Sequence, residues 1–170
     1  MLAEIGDIWI LMISKGIGPR EDSMLHLIRD YADRFFSFLL EDPVRPTIPT
    51  EQRVGSNRAI FVLHEEDRVD AITCVSYQNR VPEREAELFQ PCDPDIAVFY
   101  TIWSYRPGAG RRLILDSVDR IRQDNPSIKR FITLSPKTEM ARKFHLRNGA
   151  LICQENQDTI NYEYLLDNIR

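Results

Sequence analysis

Three short stretches of this chain carry residue types that can do chemistry. The first is Arg106-Pro107-Gly108-Ala109-Gly110-Arg111-Arg112, which interrupts an apolar, strand-like run and leads at once into a helix-like pattern. Gly108 and Gly110 let the backbone take positive φ and approach a ligand closely. A helix start presents unpaired N–H groups and the positive end of the helix dipole, so this turn suits an anion, with phosphate the commonest occupant. Arg111 and Arg112 open the helix, and one or both could pair with phosphate oxygens. Two arginines at a helix start oppose the dipole, a mild cost that a bound anion removes. A plain strand-to-helix turn has the same spacing, and the residues alone leave both readings open.

The second stretch is Thr133-Leu134-Ser135-Pro136. Ser135 falls at the carboxyl end of a predicted strand, where open α/β sheets bind ligands. Spacing alone favours it as the cap of the helix that follows. The third stretch is Phe144-His145-Leu146-Arg147-Asn148-Gly149-Ala150. His145 shares a helix face with Ala141, within reach of the serine, and histidine moves protons near neutral pH. Late in a helix that stops at Asn148-Gly149, it also fits a cap or surface role. His26 and His64 lie in apolar periodic stretches and read as structural. Cys74, Cys92 and Cys153 match no metal or redox spacing and read as thiols of a reducing cytosol. No metal constellation is expected.

The elements that must position these residues follow from periodicity. Leu25, Ile28, Ala32, Phe35, Phe36 and Leu39 recur at helical spacing, and Asp22 and Ser23 can cap, so a helix is expected over 23–41. Prolines 43, 46 and 49 make 42–57 an extended loop. Strands at 58–64 and 69–78 form a hairpin about Glu65-Glu66-Asp67-Arg68. Residues 79–94 form a second proline-rich loop with a short helix near 83–88. A strand at 95–104 then enters the glycine turn, and a helix at 110–124 presents Leu113, Ile114, Val118 and Ile121. Strands at 129–134, 150–153 and 159–166 and a helix at 138–148 complete a mixed α/β (α+β) domain around one central sheet flanked by helices.

The 170 residues fit one domain, 1–170, with 1–22 as an N-terminal extension or first element. A hydrophobic content of 43% and a charged content of 28% are those of a soluble globular protein. A net charge of -4 gives no support for non-specific nucleic-acid binding. The apolar run at 8–13 is too short to span a membrane and lacks the basic flank of a signal peptide. A cytoplasmic protein without nucleic-acid or membrane partners is expected, and the apolar N-terminus is compatible with a homodimer.

Together these stretches resemble the GNAT superfamily of acyl-CoA-dependent N-acetyltransferases over roughly residues 25–166. The family's glycine turn holds the coenzyme A pyrophosphate, which would assign Arg106, Gly108, Ala109, Gly110, Arg111 and Arg112 to coenzyme binding. Tyr105 stands where that motif usually opens with Gln or Arg, and His145 where the last helix often carries a tyrosine acid. Within that fold the strings AVFYTI (97–102), FITLSP (131–136), FHLRNGA (144–150) and NYEYLL (161–166) are similar to the catalytic domain of malonyl-CoA decarboxylases. That resemblance makes Ser135 and His145 the catalytic pair. It does not extend to that family's helical N-terminal domain or to its long insert between the second and third strings, since here residues 137–143 alone join them. The implied substrate is a coenzyme A thioester, malonyl-CoA or acetyl-CoA, or an acyl group on an acyl carrier protein. Three activities are compatible with it: decarboxylation of a malonyl-type thioester, acyl transfer to a small amine, and non-catalytic acyl-CoA binding.

Overall fold

The computed structural model describes residues 23–168. The expectations for residues 1–22, and for Asp22 as a cap, lie outside the described residues. Eight strands form one sheet: β1 (Met24–Ile28), β2 (Arg58–Glu65), β3 (Arg68–Gln78), β4 (Ile96–Ser104), β5 (Arg130–Thr133), β6 (Ser135–Pro136), β7 (Leu151–Glu155) and β8 (Thr159–Glu163). Helix α1 (Ala109–Asp124) links β4 to β5, and α2 (Glu139–Arg147) links β6 to β7. The sheet order is β1-β2-β3-β4-β5-β8-β6, with β7 also on β8. The β4–β5 pair is parallel, as a helical crossover requires, and the other pairs are antiparallel. This is the mixed sheet that the sequence pattern predicts.

Strands β2, β3 and β4 are buried along almost their whole length rather than at alternate positions, because both faces of the sheet are covered. On one face Leu113, Ile114, Val118 and Ile121 of α1 pack on Phe61, Val75 and Phe99. On the other, the cover comes from connecting segments: Phe35, Leu39, Ile48 and Leu88 pack on Ile60, Ile72, Val98 and Tyr100. This duty explains the length of the two proline-rich loops. The 42–53 loop is fixed by a buried ion pair, Arg53 Nη1 to Asp42 Oδ2 at 2.6 Å, with both side chains at 1% exposure or less. Arg53 Nη2 also donates to the carbonyls of Arg45 and Ile48.

The helix expected over 23–41 is not formed. Its first part is edge strand β1, paired with β2, and its last part is a 3-10 turn at Phe36–Glu41. Leu25 and Leu27 pack with the α1 face, whereas Ile28 packs with the loop face. A strand apolar on both sides thus imitates helical spacing. The carboxylates of Asp30 and Asp33 then accept from the N–H groups of Ala32 and Phe35, at 2.8 and 2.9 Å. Such local turns compete with helix propagation. The remaining expected elements are present within one to three residues at each end, the short helix near 83–88 appearing as a 3-10 turn at Glu85–Glu87. No described helix is long and apolar enough to cross a membrane.

Candidate active site

The site begins where two strands part. β4 and β5 pair from Ile96–Arg130 to Phe99–Thr133, and the Leu134 N–H still reaches the Phe99 carbonyl at 3.0 Å. On its other edge β4 changes register: Cys74 faces Thr101 while Val75 faces Phe99, so Tyr100 is the extra residue of a bulge. A bulge bends and re-aims its strand, and β4 continues to Ser104 without pairing to β5. Arg45 sits behind the opening. Its Nε donates to the Tyr100 carbonyl and its Nη2 to the Leu134 carbonyl, both at 2.8 Å, while Nη1 pairs with Glu85 at 2.7 Å. One planar guanidinium therefore ties together two backbones whose own ladder has ended.

At this opening the structure brings Ser135 and His145 together. Ser135 Oγ lies 3.1 Å from His145 Nε2 and 2.8 Å from Thr133 Oγ1. His145 Nδ1 lies 2.7 Å from Tyr164 Oη, and the imidazole stacks on Tyr162 at 4.8 Å. Thr133 Oγ1 also accepts from the Tyr162 N–H at 3.1 Å. Each hydroxyl can donate and accept, and a neutral imidazole has one donor and one acceptor. The chain Thr133–Ser135–His145–Tyr164 can therefore be polarised in either direction. His145 is 3% exposed, and burial lowers its pKa from 6.5 to about 3, so the ring is neutral at pH 7. Burial also pushes the Tyr164 hydroxyl up, and the charge of Arg111 opposes that rise.

The alternative role of Ser135 as a helix cap is not the one observed. Thr138 caps α2, its Oγ1 accepting from the Ala141 N–H at 3.2 Å. Ser135 instead sits in β6, two residues long and paired with β8. A cavity of about 450 Å³ opens beside the pair, walled by Phe99, Ile102, Leu134, Met140 and Phe144.

The glycine turn meets this site at Phe144. Gly108 precedes α1 at φ 79°, a left-handed conformation that favours glycine. A Cβ at Gly110 would lie 3.1 Å from the Phe144 ring, so glycine is what allows α1 to approach α2. The Ala109 N–H is taken by the Arg106 carbonyl at 3.2 Å. The N–H groups of Gly110 and Arg111 belong to the first helical turn, which has no intrahelical acceptors for them. Arg106 Nε pairs with the fully buried Asp70 at 3.0 Å, and Ser23 Oγ donates to the same carboxylate at 2.6 Å. Arg112 donates to the Ser23 carbonyl and lies 3.4 Å from Asp116. Two of the three arginines thus brace the turn from within the protein, and Arg111 is exposed.

Four contributors carry no role in the sequence reading: Tyr164, Thr133, Arg45 and Asp70. The first two lie inside strings that carried the family resemblance, which was their available signal. Arg45 and Asp70 act on partners distant in sequence and leave no local pattern.

No family model and no curated protein matches this sequence. Solved structures do match its fold. A sheet whose parallel pair parts beside a glycine turn is the GNAT fold, and the chain superposes on a GNAT family acetyltransferase from Elizabethkingia anophelis, solved with acetyl-CoA bound. That match has a TM-score of 0.61 and 12% identity, and covers 86% of this chain and 100% of the other. Malonyl-CoA decarboxylases match as well. The Agrobacterium vitis structure gives a TM-score of 0.72 at 17% identity over 96% of this chain, and the Rhodopseudomonas palustris structure 0.70 at 17% over 99%. This chain spans 64% and 62% of the lengths of those two decarboxylases. At such identity the likeness is one of fold.

Proposed function

We propose that this protein is an acyl-CoA-dependent enzyme that decarboxylates a malonyl-type thioester. The observation that carries the reading is the neutral, buried Ser135–His145–Tyr164 chain beside an apolar cavity at the parting of β4 and β5. The coenzyme pyrophosphate would lie on the first-turn N–H groups at Gly110 and Arg111. Gly108 and Ala109 shape the turn, and Arg106 and Arg112 brace it. The thioester arm would then run along the unpaired edge of β4 toward Ser135. A malonyl group on a carrier protein would present the same reacting atoms.

In the reaction the bond between the α-carbon and the carboxylate breaks. Carbon dioxide leaves, and the electron pair moves onto the thioester as an enolate. Backbone N–H groups on the edge of β4 left unpaired by β5 would stabilise the enolate oxygen. The α-carbon then takes a proton. His145 is neutral and cannot supply it as an imidazolium. It acts instead as a conduit: Ser135 or Nε2 delivers a proton to the α-carbon, and solvent entering at the cavity mouth returns one to the chain, while Tyr164, whose hydroxyl burial keeps protonated, holds Nδ1 in place. The apolar wall weakens carboxylate solvation in the bound substrate, which favours loss of a neutral product.

A second reading is acyl transfer to an amine. The short 137–143 connection gives the chain the proportions of the acetyltransferases that share its fold. Incubation with malonyl-CoA, followed by detection of acetyl-CoA and carbon dioxide, separates the two. Consumption of acetyl-CoA with free-thiol release only when an amine is present favours transfer. Tight thioester binding with no turnover of malonyl-CoA, methylmalonyl-CoA or carrier-bound malonyl groups overturns the decarboxylase reading.

A further inference from the structure

The cavity is apolar apart from a few polar groups, and among the described residues that line it Lys137 alone has a cationic side chain, His145 being neutral. Lys137 is exposed and follows Pro136 at the mouth. Thr138 lines the cavity beside it; its oxygen accepts from the Ala141 N–H, which leaves its own O–H to donate outward. Thr101, another polar lining residue, already spends its hydroxyl on Asp42 at 2.8 Å. A carboxylate entering this space is penalised against the Phe99 and Ile102 side chains, which offer it no polar partner. Of the remaining side-chain donors that line it, Ser135 is engaged with Thr133, the Tyr100 hydroxyl is fully buried, and Lys137 and Thr138 stand open along one short segment.

We infer that Lys137, with the Thr138 hydroxyl beside it, recognises the free carboxylate of an acidic acyl group and so selects malonyl-type over acetyl-type thioesters. The inference rests on the acyl-CoA reading above and adds a determinant of acyl choice to it. An ammonium at the mouth, rather than deep in the cavity, orients the carboxylate without the strong ground-state pairing that would oppose its loss. The coenzyme portion of the ligand is common to both thioesters, so a residue reading the acyl end changes their ratio and one reading the coenzyme does not.

The test measures dissociation constants of malonyl-CoA and acetyl-CoA by titration calorimetry in the His145→Ala background, which binds without turnover, alone and with Lys137→Ala or Lys137→Glu added, with melting temperatures as the folding control. The expected result is a loss of malonyl-CoA affinity of about two- to fivefold in Lys137→Ala, the range for an exposed ion pair. Charge reversal in Lys137→Glu gives the larger loss. Acetyl-CoA affinity changes less than twofold in both. Equal losses for both thioesters, or an unchanged malonyl-CoA constant in Lys137→Glu, overturn the inference while leaving the acyl-CoA reading in place. A His145→Ala background that binds neither thioester overturns both.

Discussion

The glycine turn and the Ser135–His145 pair meet at Phe144, yet they are built in opposite ways. The turn is cut from seven successive residues, 106–112, is rich in charge, and is braced by ion pairs to Asp70 and Asp116. The pair is assembled from β6 and α2 and completed by Tyr164 beyond β8, and its members are neutral and almost fully buried. A group that grips an anionic handle needs exposed donors and can be local. A group that moves a proton in an apolar space needs partners fixed from several elements, because each unpaired polar atom there is costly. Binding and chemistry should therefore be separable by mutation.

The strongest break in that comparison is His145→Ala. It should reduce kcat by about 10²- to 10⁴-fold, the range for losing a positioned proton-transfer group, while the thioester dissociation constant stays within about threefold. Stopped-flow turnover and equilibrium binding on the same preparation check it. Tyr164→Phe comes next. It removes the partner of Nδ1 and leaves a buried ring nitrogen unsatisfied, a penalty of about 1–3 kcal/mol, read as a fall in kcat of about fivefold or more with the thioester constant retained.

Stability against pH probes the neutral ring alone. Its folded pKa is depressed to about 3 from 6.5, so below 6.5 the unfolded chain binds a proton that the folded chain refuses. Stability contributed by keeping the ring neutral is full above about 6.5 and falls as pH drops toward 3, by about 1.4 kcal/mol per unit. Denaturant titrations at pH 7, 6, 5 and 4 should show a steeper loss for the wild type than for His145→Phe. Equal slopes contradict a buried neutral histidine.

The smallest effects belong to the turn. Gly110→Ala pushes a methyl against the Phe144 ring, at a cost of about 1–3 kcal/mol, and should raise KM and lower kcat together because it displaces the helix that carries His145. Gly108→Ala forces an L residue into a left-handed conformation at about 1–2 kcal/mol. It should raise KM and spare kcat. Identical patterns from the two glycines would remove the distinction between handle and chemistry.

What the sequence disclosed follows the same division. The β4–turn–α1 unit was legible because its signals are local: an apolar run, Gly108 and Gly110, and an amphipathic stripe. Ser135 and His145 are ten residues apart, and a helix returning over the sheet end brings them together, so their proximity could be anticipated. β1 was misread because its two apolar faces imitate helical spacing. Arg45 spans 55 residues to Tyr100 and 89 to Leu134, and no short pattern encodes such contacts. The depressed pKa of His145 comes from burial beneath Tyr162 and Tyr164, which exists only once β8 is in place.

The central claim is that this site removes carbon dioxide from a malonyl-type thioester through His145. The most direct test incubates wild type and His145→Ala with malonyl-CoA labelled at the free carboxylate, and follows carbon dioxide and acetyl-CoA together. The account predicts equimolar release of both by the wild type, and binding without release by His145→Ala. Malonyl-CoA that binds the wild type and persists, or that passes its acyl group to an amine with the carboxylate intact, would contradict it.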